Sequence, residues 1–215
     1  MTTDSARTRP DLGRLIMIPA AALLLVLDLS ALAHRAGGTA STLRWLGTVL
    51  VSAFYVLIIW CYLRRGPAVA TSGSVTAHAA AVLATLIPFA LPLLRAAPPG
   101  TGQEYAADGL LVAGTAWSVW SLRSLGRSIS VLAQARDVVE RGAYRWVRHP
   151  LYTGEIVASL GLAVAAGTAA AAGVWLALCI LQGYRALREE QVLLRALPGY
   201  RAYRSRTAAL LPGLF

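Results

Sequence analysis

The sequence predicts an all-α integral membrane protein with about six transmembrane helices, of which the last two form a helical hairpin. Three observations carry this prediction. Only 14% of the residues are charged, whereas a soluble domain carries about 25%. Apolar runs of about 20 residues, the length that crosses the hydrocarbon core of a bilayer, recur along the chain. All but three of the 20 basic residues, which are all arginines, fall in segments that this helix count places on one side of the membrane.

Four apolar runs in the first part of the chain are long enough to span a bilayer. They are Leu15–Ala33, Trp45–Leu63, Val75–Leu94 and Leu110–Leu125. Pro88 and Pro92 predict a kinked or broken third helix, because proline donates no backbone hydrogen bond. The proline-rich residues 95–108 are expected to form an external loop.

The first run also has features of a secretory signal peptide, because basic residues precede it and the small residues "ALA" end it. Cleavage would leave five helices and the same location for the C-terminus. The run is long for a signal peptide and contains Asp28, which favours an uncleaved first helix. A carboxylate within a membrane helix is a candidate functional group, although Asp28 lies within about one turn of the end, where it can reach interfacial water.

The last apolar block, Thr153–Tyr184, is too long for one crossing. Its 32 residues would form a helix of about 48 Å, whereas the hydrocarbon core is about 30 Å thick. The sequence "AAGTAAAAG", Ala165–Gly173, predicts a turn in the middle of the block. We therefore expect a hairpin of two helices whose small residues let the backbones approach closely.

The arginines predict the orientation of these helices. With the N-terminus in the cytoplasm, only Arg35, Arg44 and Arg95 lie outside, as the positive-inside rule requires. Both termini are then cytoplasmic. The chain divides into four membrane helices over residues 1–125 and a C-terminal region over residues 126–215, which comprises an interfacial segment, the hairpin and a C-terminal cytoplasmic helix.

Several classes of function are disfavoured. The arginines flank apolar runs and form no basic domain, which argues against nucleic-acid binding. Cys61 and Cys179 lie in separate apolar runs, as small buried hydrophobic residues do. The sequence contains no glycine-rich dinucleotide or phosphate motif, no metal-ligand spacing and no activated nucleophile. No obligate protein partner is inferred.

Two charged clusters flank the predicted hairpin. The first is "YRWVRHPLYTGE", residues 144–155. In the second, Arg185, Arg188 and Glu189 share one helix face, and Glu190 lies about 100° further round. Taken alone, the first is consistent with an interfacial anchor and the second with a surface ion pair. The hairpin returns the chain to its starting side, so we expect the clusters to meet around a polar ligand that enters from the cytoplasm.

The order and spacing of these residues resemble a known family. "GAYRWVRHPLYTGE", then "YRALREEQVLLRALPGYRAYRSRTAALLPG", with "LGRSISV" upstream, is similar to the isoprenylcysteine carboxyl methyltransferase family and the related phospholipid methyltransferases. The resemblance covers about the last 95 residues. It implies methyl transfer from S-adenosylmethionine (SAM) in the membrane, without a Rossmann domain. It also implies that Arg185 orients the substrate. The residues it assigns to the cofactor are Arg136, Val138, Val139, Tyr144, His149, Pro150, Tyr152 and Glu189.

The chemistry of these side chains suits that cofactor. Glu189 can accept charge-assisted hydrogen bonds from the ammonium group, and His149 can donate to the carboxylate. The faces of Tyr144 and Tyr152 attract a sulfonium cation. A carboxylate acceptor, oriented bidentately by Arg185, needs no general base. An amine or thiol acceptor would need one, and Glu190 and His149 are the candidates.

The sequence therefore predicts a SAM-dependent methyltransferase that acts on a lipophilic, membrane-associated acceptor, preferably a carboxylate of the isoprenylcysteine or isoprenoid-acid type. Phospholipid amines and small thiols remain alternative acceptors. An NADPH-dependent membrane reductase of the sterol-reductase type is the alternative enzyme, in which Arg201, Arg204 and Arg206 would bind the 2′-phosphate. A non-catalytic adaptor or transporter is the third class considered.

Overall fold

The computed structural model describes residues 12–35, 42–71, 73–130, 134–135 and 137–211. This part of the chain is mostly helical, and it also contains one pair of two-residue strands. The α-helices are α1 (Leu12–Arg35), α2 (Thr42–Arg64), α3 (Val75–Ala90), α4 (Thr101–Leu125), α5 (Pro150–Ala166), α6 (Ala169–Ala196) and α7 (Tyr200–Arg204). The strands are β1 (Ala70–Thr71) and β2 (Gln134–Ala135), and 3₁₀ turns occupy Leu91–Leu94, Gly126–Ser128 and Gly142–Arg145.

Four of the helices in the described residues are long and apolar enough to cross a membrane, where the sequence predicts about six. They comprise α1, α2, α6, and α3 together with its 3₁₀ extension. The other two predicted crossings fall on α4 and α5. Helix α4 carries Glu104, Asp108 and Arg123, and α5 has only 17 residues, which at 1.5 Å per residue gives a length of about 26 Å.

The third predicted helix is broken near its end. Helix α3 contains Pro88 and ends at Ala90, and the chain continues as a 3₁₀ turn with Pro92 in its first turn. Proline cannot donate the hydrogen bond that an α-helical interior needs, so the change of helix type follows from the sequence.

The external loop predicted over residues 95–108 is shorter than expected, because α4 begins at Thr101. Ion pairs from Arg44 of α2 to Glu104 and Asp108 hold its first two turns. Gln103 donates a 2.6 Å hydrogen bond to the carbonyl of Val164 in α5. The prediction was wrong here because these tertiary contacts stabilise a helix start that the local sequence does not indicate.

The backbones of α4 and α5 approach each other closely, and the alanine-rich turn sequence does not supply this contact. A Cβ atom at Gly114 of α4 would collide with the α5 backbone at Ala158, and one at Gly161 of α5 would collide with the α4 backbone at Ala107. Gly173 of α6, by contrast, has open space beside it. Helices α5 and α6 are joined by a turn at Gly167, whose φ of 66° is a left-handed conformation that glycine adopts without strain.

The bundle has two distinct ends. At one end, β1 pairs with β2 in antiparallel fashion, and Arg127 donates to the carbonyl of Arg64 at 3.0 Å. At the other end, Thr168 donates to the carbonyl of Leu94 at 3.1 Å. The first, here called the site end, brings β1 beside β2 and Arg64 beside Arg127, which the sequence predicts to lie on the same side of the membrane. The strand pairing was not predicted, because each strand has only two residues.

Candidate active site

The site end is organised around the start of α5. Pro150 occupies the first turn of this helix, where its missing N–H leaves no hydrogen bond unmade. The preceding residues pair with the C-terminal segment: the N–H groups of Arg148 and His149 donate to the carbonyls of Ala208 and Ala209, at 2.8 and 3.0 Å. Residues 205–211, here called the C-terminal segment, therefore lie against the first charged cluster.

The prediction that the two charged clusters meet is confirmed. The hydroxyl of Tyr152 donates to Oε2 of Glu189 at 2.8 Å. The imidazole of His149 lies between two carboxylates, with Nδ1 3.7 Å from Oε2 of Glu189 and Nε2 3.2 Å from Oε1 of Glu190. The rings of His149 and Tyr152 are parallel, with centroids 5.5 Å apart. Helix α5 and the end of α6 thus share one polar site.

Glu190 lies in the interior, surrounded by cationic groups. Its Oε1 accepts from Nε of Arg148 at 2.7 Å, and its Oε2 lies 3.0 Å from Nε of Arg204. Arg148 also donates to the carbonyls of Arg204 and Thr207. Glu190 therefore links α6 to α7 through Arg204, and to the C-terminal segment through Arg148. It does not line the neighbouring pocket.

A pocket opens at this end of the bundle. Its polar and aromatic side chains converge from the end of α4, the segment before α5, α5 itself, α6 and α7. The lining residues are Leu125, Ser128, Ser130, Asp137, Val138, Val139, Tyr144, Arg148, His149, Leu151, Tyr152, Glu189, Leu193, Tyr200 and Tyr203.

Most of the residues that the sequence assigns to the cofactor line this pocket: Val138, Val139, Tyr144, His149, Tyr152 and Glu189. Pro150 is buried behind the lining, where it begins α5. Arg136 lies outside the described residues. Arg185, the predicted substrate ligand, is buried outside the lining, and its guanidinium lies 4.6 Å from the centre of the Tyr152 ring. Tyr152 thus separates Arg185 from the pocket.

Tyrosine rings form much of the pocket wall. Burial raises the pKa of Tyr203 to about 12, and it raises the pKa of Tyr144 well above its ordinary value. Both side chains therefore stay neutral near neutral pH. The hydroxyl of Tyr203 donates to the carbonyl of Tyr144 at 2.6 Å. The buried hydroxyl of Tyr200 has no hydrogen-bond partner within the part of the chain that the structure describes, so a ligand atom in the pocket can supply one.

Comparison with protein families agrees with this site. Residues 107–195, from the first third of α4 to the end of α6, match the model of the isoprenylcysteine carboxyl methyltransferase (ICMT) family. The resemblance drawn from the sequence is thereby confirmed over this stretch. With the apolar helices, it identifies the chain as an integral membrane protein.

No curated protein matches the chain in a sequence search. The ICMT match begins within α4 and stops before α7. The predicted division of the chain at residue 125 therefore remains a prediction.

Several pocket residues were not assigned from the sequence. Tyr200 and Tyr203 come from α7, beyond the ICMT match, and Ser128, Ser130 and Asp137 come from the segment after α4. The only sequence signal for the tyrosines is their repetition after α6, which indicates a motif but not where its rings point. Their position depends on α7 folding back onto α6.

Asp28 contacts a neighbouring helix. Its Oδ2 accepts a 2.6 Å hydrogen bond from the hydroxyl of Ser52 in α2. This contact satisfies part of the hydrogen-bonding capacity of the carboxylate and links α1 to α2.

Proposed function

We propose that the chain transfers a methyl group from SAM to a lipophilic acceptor at the cytoplasmic surface of the membrane. One observation carries the proposal: Glu189, His149 and Tyr152, from two elements far apart in sequence, converge on one pocket within an ICMT-family domain.

The residues present fit this cofactor. Glu189 keeps hydrogen-bonding capacity beyond its contact with Tyr152, so its carboxylate is available to an ammonium group. The rings of Tyr144 and Tyr152 offer π faces to a sulfonium cation, and the hydroxyl of Tyr200 offers one further hydrogen bond. When bound, SAM supplies an electrophilic methyl group on a sulfonium centre.

Arg185 is the residue that we assign to the acceptor. Its planar guanidinium suits bidentate binding of a carboxylate, and its position one helical turn before Glu189 on α6, beside Tyr152, supports an acceptor that approaches from the membrane side. Attack of a carboxylate on a sulfonium methyl group merges two opposite charges. The transition state is then less polar than the reactants, so exclusion of water favours it while both groups are held in line. A carboxylate of the isoprenylcysteine type is therefore the acceptor that we favour.

Glu190 is better suited to holding the site together than to accepting a proton. Arg148, His149 and Arg204 surround its two oxygens. We therefore assign it a positioning role, which keeps His149 and the C-terminal segment against the pocket. No general base is needed if the acceptor is a carboxylate.

Charge and aromatic residues support the proposed orientation. At the site end, exposed arginines lie over exposed aromatic rings, as between Arg64 and Trp60 (5.0 Å) and between Arg145 and Trp146 (5.2 Å). Tryptophans are enriched where a protein meets the membrane surface, and arginines are enriched on the cytoplasmic side. We place the two termini and the pocket on that side.

The contacts of two arginines favour this function over the NADPH-dependent reductase. Of the three proposed 2′-phosphate ligands, Arg204 pairs with Glu190 and Arg206 pairs with Glu140. Their charges are thus partly neutralised within the protein. A phosphate ligand would have to compete with these carboxylates.

Purified protein titrated separately with SAM and with NADPH tests the choice of cofactor. We expect saturable binding of SAM alone. Methyl-labelled SAM is then incubated with the protein and a membrane-lipid extract, and mass spectrometry identifies the labelled product. Binding of NADPH without binding of SAM would overturn the proposal.

A further inference from the structure

Arg185 is hydrogen-bonded to a polar side chain that does not line the pocket. Gln182 is fully buried, and its Oε1 accepts a 2.9 Å hydrogen bond from Nη1 of Arg185. The same amide donates through Nε2 to Oε2 of Glu155 at 2.6 Å. Glu155, Gln182 and Arg185 therefore form a continuous hydrogen-bonded chain, here called the relay, behind Tyr152.

The chemistry of the amide fixes the direction of this relay. A glutamine side chain accepts through its oxygen and donates through its nitrogen, so it can join a guanidinium, which only donates, to a carboxylate, which only accepts. The opposite orientation of Gln182 would set two donors against each other at Arg185 and two acceptors against each other at Glu155. The carboxylate of Glu155 thus determines which end of the amide faces the guanidinium.

The packing of α5 fixes where Glu155 lies. The preceding residue, Gly154, touches α4 so closely that a Cβ atom there would collide with Gly114 and Ser118. Helix α5 therefore cannot rotate about its axis without a clash. This contact holds the Glu155 carboxylate toward α6, where Gln182 lies.

We propose that Glu155 is a positioning residue for methyl transfer. Through Gln182 it holds the guanidinium of Arg185 against the ring of Tyr152, in the orientation that receives the acceptor carboxylate. The inference rests on the proposed function, because it assigns Arg185 to a carboxylate acceptor. It adds that selectivity for a carboxylate depends on a second, resident carboxylate that does not touch the acceptor.

The test measures discrimination between two probes. Full-length protein in lipid nanodiscs is titrated with one of two probes, farnesylated N-acetylcysteine or the corresponding neutral carboxamide. The dissociation constant of each probe is measured, and the dissociation constant of SAM is measured on the same preparation. We expect the wild type to prefer the carboxylate probe by about tenfold or more, the scale of one hydrogen bond to a charged group. Glu155→Ala should reduce this preference to about threefold or less and leave the affinity for SAM unchanged.

A conservative variant separates position from charge. In Glu155→Gln, the new amide oxygen still accepts from Gln182, so the preference for the carboxylate probe should be retained. Gln182→Leu removes the middle of the relay and should behave like Glu155→Ala, which provides a second route to the same measurement. Glu104→Gln, at the opposite end of the bundle, is the matched control and should change neither dissociation constant.

The outcomes distinguish the two proposals. An unchanged preference in Glu155→Ala and in Gln182→Leu would overturn the relay alone. A wild type that binds SAM but shows no preference for the carboxylate probe would also overturn the relay, because Arg185 would then not be a carboxylate ligand. A wild type that does not bind SAM would overturn the proposed function.

Discussion

Glu189 and Glu190 are consecutive residues of α6, yet the two sides of the helix surround their carboxylates differently. The Glu190 side chain is 6% exposed, and Arg148, His149 and Arg204 surround it. The Glu189 side chain is 23% exposed, contacts Tyr152 and lines the pocket. The same chemical group is therefore part of the protein framework on one side of the helix and available to a ligand on the other.

The framework role of Glu190 and the ligand-facing role of Glu189 are therefore distinguished by the number of partners that each carboxylate has, and not by residue type. A carboxylate whose oxygens already contact arginine side chains has little left to offer a ligand, and its removal leaves a buried guanidinium without its counter-charge. A carboxylate beside a cavity whose short hydrogen bond comes from a neutral hydroxyl keeps its charge and its open acceptor positions. The comparison between Glu189 and Glu190 can be tested by substitution.

The largest effect is expected for Glu190→Ala. This change leaves the buried guanidinium of Arg148 without its carboxylate, and breaking a buried ion pair from one side costs about 3–5 kcal/mol. Thermal unfolding in detergent should show a corresponding loss of stability. The control is Glu104→Ala, whose ion pair with Arg44 is partly exposed and should contribute no more than about 1 kcal/mol. Equal stability of the two variants would contradict the framework role of Glu190.

The next effect is the loss of cofactor binding in Glu189→Ala. Hydrogen bonds to charged groups contribute about 1.5–3 kcal/mol, so the affinity for SAM should fall by about tenfold to a hundredfold or more. Isothermal titration of purified protein measures this change. Stability should be altered far less than in Glu190→Ala, because the hydrogen bond that is lost comes from the neutral hydroxyl of Tyr152 and Nδ1 of His149 lies 3.7 Å away. Unchanged affinity for SAM would remove the role assigned to Glu189.

Arg185→Ala should affect turnover without affecting cofactor binding. Arg185 lies one helical turn before Glu189 on the same face of α6, but it is separated from the pocket by Tyr152. We expect the rate of methyl transfer to fall by about tenfold or more, the scale of one hydrogen bond to a charged acceptor group. Steady-state kinetics and SAM titration on the same preparation separate the two quantities. A parallel loss of SAM affinity would place Arg185 in the cofactor site.

The smallest effect is expected for Tyr200→Phe. Its hydroxyl is buried without a partner among the described residues, so removing it breaks no internal hydrogen bond. The variant should be as stable as the wild type or slightly more stable, whereas SAM affinity should fall by about twofold to tenfold, the value of one neutral hydrogen bond. Unchanged affinity would indicate that no cofactor atom reaches this hydroxyl.

The sequence predicts much of the site, because the relevant residues lie in two short helical segments. Helical periodicity places Arg185 and Glu189 on one face, and the turn near Gly167 returns the chain to bring Tyr152 toward them. Tyr200 and Tyr203 could not be predicted as lining residues, since they reach the pocket only after α7 folds back. The early start of α4 was missed for a similar reason, because its contacts come from α2 and α5.

The sequence by itself determined the apolar helices, the uneven distribution of arginines and the ICMT-type motifs, because each is expressed by residues close together in the chain. Only the tertiary structure showed that Arg148 and Arg204 contact the Glu190 carboxylate, and that Arg185 lies beside Tyr152 with Gln182 hydrogen-bonded to both Arg185 and Glu155. Adjacent residues on a helix differ in direction by about 100°. The surroundings that each direction meets depend on how distant segments pack, which local sequence patterns do not record.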